Sequence, residues 1–258
     1  MTKPIKQLLI AAGLILFLGP VTVSAFPADL VEAFNADHPD LAFEAPPEVS
    51  SVTPEVIYHG DRERRQVALT FDACSRWTDN RLNEGLLDLL REEKIPATLF
   101  LGGRWMYEHP EQTRELHEAP RFELANHAHA HPDLTELETD QIRIQIAYAQ
   151  LMAHALTGEM PRYFRPPYVK YDEPVLEVAA ELGVRTIQYD VASGDADADA
   201  EPGAIAQHVL ESVEPGSIVV MHLHDPELAT VEALPEILEG LAERDLEAVT
   251  VSELLDSD

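Results

Sequence analysis

From residue 66 to residue 251, seven short runs of apolar, strand-favouring residues alternate with longer amphipathic stretches, and this alternation restricts the fold more than any other feature. The runs are Val67–Phe71, Ala97–Leu101, Phe122–Ala125, Tyr163–Arg165, Thr186–Tyr189, Ser217–Met221 and Ala248–Val251. Between them, Leu82–Arg91, Gln141–Leu156, Pro174–Leu182, Ile205–Val213 and Val231–Ala242 carry apolar residues at helical spacing. Strands separated by helices pair in parallel, because each connection must cross over the sheet. The pattern therefore predicts an α/β fold of about seven parallel strands. Thr135 with Glu138 matches a capping box that would open the helix after residue 134.

Polar residues stand where these runs end. Asp72 closes the first, His127 the third, Arg165 the fourth, Asp190 the fifth and His222 the sixth. In a barrel of parallel strands the C-terminal ends converge on one face, where reactive side chains gather. Five such residues at five strand ends mark that face as a site.

The chain before residue 61 reads differently. Met1–Lys6 carries two lysines, Leu8–Gly19 is apolar, and Val23-Ser24-Ala25 has the small-residue pattern of a signal-peptidase site. Residues 1–25 are therefore expected to be a signal peptide, and the protein to be exported, periplasmic or secreted. No membrane-spanning segment is expected once the signal is removed. Residues 26–60, with Pro46, Pro47 and Pro54, read as an extended lead-in, and residues 61–258 as the catalytic domain. The formal net charge is −29, and only four lysines occur, two of them in the leader. Such a surface repels nucleic acid and anionic membranes, so neither is an expected partner. Cys74 is the single cysteine, which excludes an internal disulfide.

Chemistry concentrates in four segments. His127 and His131 flank His129 in Asn126-His127-Ala128-His129-Ala130-His131-Pro132, and two neutral imidazoles on one short segment can hold a zinc ion while leaving a position open. Asp72, ending Val67-Ala68-Leu69-Thr70-Phe71-Asp72, can act as a general base beside such a metal. In Phe164-Arg165-Pro166-Pro167-Tyr168 the prolines lack N–H groups, so the Tyr168 amide is the next donor for a developing oxyanion. Arg165 can pair with Asp72 and keep it ionised. His222 and His224 follow the sixth run; one can protonate a leaving amine, or serve as a third metal ligand. Asp190 or Asp195 can orient that histidine. Trp77, Trp105 and Tyr107 fall near strand-end loops, where aromatic rings can stack on sugars or join the core.

The order Thr70-Phe71-Asp72, then His127 to His131-Pro132-Asp133-Leu134, then Phe164 to Tyr168, then Val220-Met221-His222 resembles the polysaccharide deacetylase family. These carbohydrate esterases contain a NodB-homology domain, and the similarity runs from about residue 66 to 255, including Thr230–Pro235 and Val249–Leu254. The resemblance implies a distorted (β/α) barrel and a divalent metal, most often Zn²⁺. It also implies hydrolysis of N-acetyl, sometimes O-acetyl, groups on a polysaccharide or oligosaccharide. Carried over by motif, Asp72 is the catalytic base, His127 and His131 are metal ligands, and Arg165 orients the base. Tyr168 N–H enters the oxyanion hole, His222 is the general acid with His224 as the alternative, and Asp195, ahead of Asp190, tunes it. His129 is a bystander.

One position departs from the family. Its first motif usually reads Thr-Phe-Asp-Asp-Gly, the second Asp being the third metal ligand, whereas Ala73 and Cys74 stand here. The third ligand is then Asp72 or Asp79, with Cys74 behind them, or the site is metal-poor. A catalytically impaired glycan-binding barrel and an amidohydrolase acting on a non-glycan amide stay open as alternatives.

Overall fold

The computed structural model describes residues 23–43, 45, 47–75 and 80–256. Of the expected signal peptide, residues 1–25, those before residue 23 lie outside the described residues, and its last three form β1 (Val23–Ala25). The lead-in, residues 26–60, then forms α1 (Ala28–Asp37) and β2 (Glu48–Ser50), which pairs antiparallel with β1. The lead-in is therefore not extended throughout. Leu30, Val31 and Phe34 make one buried face on α1, and the Phe34 ring meets Tyr148 edge-on at 5.6 Å. Proline content masked this helix in the sequence.

The main sheet has nine strands, all of whose pairings are parallel among the described residues. In chain order they are β3 (Val56–Ile57), β4 (Gln66–Ala73), β5 (Ala97–Leu101), β6 (Phe122–Asn126), β7 (Tyr163–Phe164), β8 (Arg185–Ile187), β9 (Val191–Ala192), β10 (Ile218–His222) and β11 (Glu247–Val249). The spatial order is β3-β8-β7-β6-β5-β4-β10-β9, with β11 beside the first residues of β4. The sheet curls into an open, distorted barrel. The helices on its outside are α2 (Glu84–Glu92), α3 (Gly103–Glu108), α4 (Pro110–Glu118), α5 (Thr139–Thr157), α6 (Glu173–Glu181), α7 (Pro202–Ser212) and α8 (Thr230–Glu243), and α9 (Val251–Leu255) follows β11.

Strand alternation divides the core in two. Val67, Leu69, Phe71, Leu99 and Leu101 belong to the large apolar layer shared with the helices, while Ala68, Phe100, Ala125, Tyr163 and Ile218 form a smaller interior cluster. Asp72 continues the Ala68–Thr70 phase and so joins the interior at the strand's C-terminal end. Ala73 falls in the other phase, fully buried in the outer layer. Cys74 returns to the phase of Asp72. This alternation places a thiol, and not residue 73, on the side of the site.

The helix after the histidines begins later than the sequence suggests. Asp133 accepts from Thr135 N–H (3.2 Å) and from its hydroxyl (2.7 Å), which draws Thr135 into a short 3₁₀ turn at Leu134–Glu136. The capping box that opens α5 is formed by Glu138 and Gln141 instead. The helix ends at Gly158, whose left-handed conformation (φ 80°) suits a residue without Cβ.

Candidate active site

Asp72, Cys74, His127, His131, Arg165, Tyr168 and His222 line one cavity of about 240 Å³ at the C-terminal ends of the strands. Pro166, Val169, Tyr189 and Val220 complete its wall. The sequence anticipated most of this set; Val169, Tyr189 and Val220 were missed, although Val220 shares the strand phase of His222. Asp195 lies behind His222, and Asp190 does not belong to the site. The Asp190 carboxylate accepts from Ile218 N–H (2.8 Å), Ser217 Oγ (2.9 Å) and Arg62 (2.7 Å), at the opposite end of β10.

Three metal-type donors meet inside the cavity. One ligand atom each from Cys74, His127 and His131 lie within 4.8 Å of one another. His127 Nδ1 lies 2.9 Å from the carbonyl of Arg165. With Nδ1–H donating there, the Nε2 lone pair faces the cluster, 3.7 Å from Cys74 Sγ. Burial lowers the pKa of His127, and it lowers that of His131 to about 3, with the neighbouring His127 acting in the same direction. Both rings are thus neutral, the form a metal needs. A thiolate with two imidazoles is a donor set that suits zinc, so the residues present fit a divalent metal.

Adjacent glycines seat both ligand segments. Gly102 N–H donates to the carbonyl of Ala73 (3.1 Å), and a Cβ on Gly102 would lie 2.0 Å from the hydroxyl of Ser75, which itself accepts from Trp105 N–H. A Cβ on Gly103 would lie 2.5 Å from His129 Nδ1. His129 is accordingly a packing residue, its ring 5.5 Å from Tyr148, and not a member of the donor cluster. Ala128 (φ 60°) and His131 (φ 57°) hold left-handed backbone in this loop, strain of the kind found around functional groups.

Arg165 is buried inside the barrel, its guanidinium 4.0 Å from the Phe100 ring centre. It donates to Asp72 Oδ1 (2.6 Å) and to Thr70 Oγ1 (2.9 Å). Burial pushes the Asp72 carboxyl up, but the charge and hydrogen bond of Arg165, with the charge of His222, outweigh it and hold the group below the usual carboxylate range. Asp72 Oδ2 lies 3.8 Å from His127 Nε2. Thr70 was not singled out in the sequence, although it lies two residues before Asp72 and therefore on the same face.

His222 Nδ1 is bonded to Asp195 Oδ1 at 2.8 Å, while Asp195 Oδ2 accepts from His222 N–H and Thr230 Oγ1, both at 2.7 Å. Burial pulls the His222 pKa down, but the hydrogen bond and charge of Asp195 raise it above the ordinary value. Asp195 is held low by the same pairing against its own burial. The raised His222 contributes stability that is complete below about pH 6.5 and is lost as pH rises through its folded pKa. The depressed Asp195 contributes stability present above about pH 3.9 and lost as pH falls through its folded pKa. Asp195→Asn is therefore expected to move the His222 titration, followed by NMR, to lower pH. An unmoved titration would show that Asp195 does not govern this ring.

The other singled-out residues divide. Asp79 and Trp77 lie outside the described residues. Trp105 is fully buried and donates Nε1–H to Arg81 O (3.0 Å), so it is core, whereas Tyr107 is exposed. His224 Nδ1 lies 3.4 Å from the carbonyl of Asp72, and its ring packs 5.5 Å from His222, beside the cavity and not among its lining residues.

A parallel half-barrel thus carries a Cys/His/His donor cluster, an Arg-paired aspartate and an Asp-paired histidine at one strand-end cavity. The chain belongs to the polysaccharide deacetylase family: the family model "Polysaccharide deacetylase" matches residues 59–187. A chitooligosaccharide deacetylase from Bradyrhizobium sp. is 32% identical over 61% of this chain and 70% of its own length. The uncharacterized protein YlxY of Bacillus subtilis is 28% identical over 81% of this chain, which spans 63% of that relative. Among solved structures, a family 4 carbohydrate esterase pseudoenzyme from Bacillus anthracis superposes with a TM-score of 0.72 at 28% identity, covering 87% of this chain and 81% of that one.

Proposed function

We propose that this chain is an exported hydrolase that removes N-acetyl, or O-acetyl, groups from a polysaccharide or oligosaccharide. What supports this most is the convergence of Asp72–Arg165, Asp195–His222 and the Cys74/His127/His131 donors around one cavity. Zinc is the metal that donor set favours, with Cys74 taking the third place in preference to Asp72 or Asp79. When bound, the metal supplies Lewis acidity and lets water ionise near pH 7. Asp72, held ionised by Arg165, takes the proton of the attacking water. Tyr168 N–H donates to the oxyanion that develops on the acetyl oxygen. The next two amides, Val169 and Lys170, turn back onto the carbonyls of Pro166 and Pro167, so Tyr168 is the amide of this turn left for that task. His222 then protonates the departing amine, giving acetate and the free amino sugar. Removal of a leader after Ala25 leaves Phe26 as the first residue, buried and bonded through its N–H to Pro47 O (2.8 Å).

A second reading is a barrel that binds glycan without turning it over. It is favoured by Ala73, which removes the family's usual carboxylate, and by the likeness to a pseudoenzyme. One experiment separates the two: acetate release from a panel of acetylated glycans, with metal content measured on the same sample. Release together with bound zinc supports the enzyme, and neither under zinc-replete conditions supports the binder. Cys74→Ala is expected to lose zinc retention in that assay, and unchanged retention would return the third ligand to Asp72 or Asp79.

A further inference from the structure

The turn that carries the Tyr168 amide is strained, and burial does little to hold it. Tyr168 and Val169 both have left-handed backbone, φ 58° and 65°, and for a β-branched valine that conformation is an outlier. Both line the cavity with side chains that are 60% and 43% exposed. Hydrogen bonds must therefore fix this conformation. Those from Val169 N–H to Pro166 O (3.3 Å) and from Lys170 N–H to Pro167 O (3.2 Å) close the turn on itself without tying it to the barrel. Lys170 also pairs with Asp133, but that pair is exposed and such pairs contribute little.

Gln188, directly after β8, supplies the tie from the barrel interior. Its Nε2–H donates to Val169 O at 3.0 Å. The backbone of Gln188 is fixed on both sides, its N–H donating to Ile57 O (2.7 Å) and its carbonyl accepting from Arg165 Nη2 (3.4 Å). Arg165 in turn holds Asp72. One residue thus touches both the oxyanion turn and the partner of the base, and it does so without lining the cavity itself. Packing does not account for a glutamine here. The side chain is fully buried, and its Oε1 has no hydrogen-bond partner among the described residues. A buried amide satisfied at one end only costs the fold more than an apolar side chain of that shape.

The geometry points to Gln188 as a positioning residue that, through Val169 O, sets the Tyr168 amide at a fixed spacing from the Asp72–Arg165 pair. This rests on the deacetylase reading, in which Tyr168 N–H meets the developing oxyanion. Holding the Val169 carbonyl fixes the plane of the peptide that follows it, and the two bonds inside the turn carry that constraint back to Tyr168. A donor of this kind accelerates the reaction only when it is aimed before the charge appears.

Gln188→Met keeps the shape and removes the donor, so it separates positioning from packing. Acetate release from the N-acetylglucosamine pentamer by the zinc-loaded variant is expected to show kcat lower by about 10- to 100-fold, the range of a misplaced group, with KM unchanged. Zinc content and the thermal midpoint are expected to stay near wild type. In NMR spectra of the resting protein, the amide signals of Tyr168, Val169 and Lys170 are expected to shift or broaden. Wild-type kcat, unmoved amide signals, or a fall in kcat that comes with lost zinc or lost folded protein would each overturn the positioning role. No acetate from wild type or variant would overturn the deacetylase reading instead, and the amide signals would then decide by themselves whether Gln188 fixes the turn.

Discussion

Alanine at position 127 is expected to give a folded protein that retains no metal and releases acetate more than about 100-fold more slowly. Losing only the partner behind a metal ligand typically costs about 10- to 100-fold. Here the ligand itself is removed, together with its bond to that partner. His127 Nε2 faces Cys74 Sγ while Nδ1 is bonded to the Arg165 carbonyl, so the ring both binds and is aimed by the adjacent strand. Without it, Cys74 and His131 remain as two donors, too few for a closed or a catalytic zinc site. The buried Arg165 carbonyl also loses a donor, a cost of about 1–3 kcal/mol that a well-packed domain survives. Metal content by mass spectrometry and acetate release on the same preparation check the expectation. Retained zinc with wild-type turnover would remove His127 from the site.

Asp72→Asn is expected to have the second-largest effect, and unlike the first it acts on stability as well as turnover. Asp72 and Arg165 are both buried, 5% and 1% exposed, and paired at 2.6 Å. Asparagine keeps the shape and removes the charge, leaving the guanidinium inside the barrel with Thr70 and the Phe100 face as neutral company. Breaking a buried pair from one side costs about 3–5 kcal/mol. Loss of a general base costs about 10²- to 10⁴-fold in turnover. Because Asp72 is held low, its stabilisation is present above about pH 3.9 and is lost as pH falls through the folded pKa, so the wild-type advantage over Asp72→Asn should shrink in acid. Denaturant unfolding at several pH values, with acetate release at each, measures both effects. A variant as stable as wild type at neutral pH, with normal turnover, would show that this pair neither supports the barrel nor takes the proton.

Residues whose burial follows a simple period were legible in advance. Ala97–Leu101 appears as a strand with the expected bounds, and Gln141–Leu156 falls inside α5, because each buries a face that its apolar spacing already displays. Tyr163–Arg165 ends one residue earlier as a strand, yet Arg165 still reaches Asp72 as its position suggested. Short or polar elements were not legible. Gly103–Glu108 and Pro110–Glu118 have too few apolar residues to show a period, and α1 sits in a proline-rich stretch. The Thr135 cap was displaced by Asp133, a competitor two residues away for the same hydroxyl. At the site, side-chain types point to a chemistry, but partner choice needs three dimensions. Asp195 is only slightly favoured over Asp190 in the sequence, and the course of the chain past β10 is what separates them. Cys74 was ranked behind two carboxylates because the family writes its ligand one position earlier. Strand phase turns residue 73 into the core and residue 74 towards the histidines.

A deacetylase whose metal is held by Cys74, His127 and His131 is tested most directly by acetate release from an N-acetylated oligosaccharide by chelator-stripped protein as zinc is added back. Release is expected to be absent at first, to rise linearly with zinc and to level off at one ion per chain. Release that is indifferent to zinc, or absent at every zinc level on every acetylated substrate supplied, would contradict it.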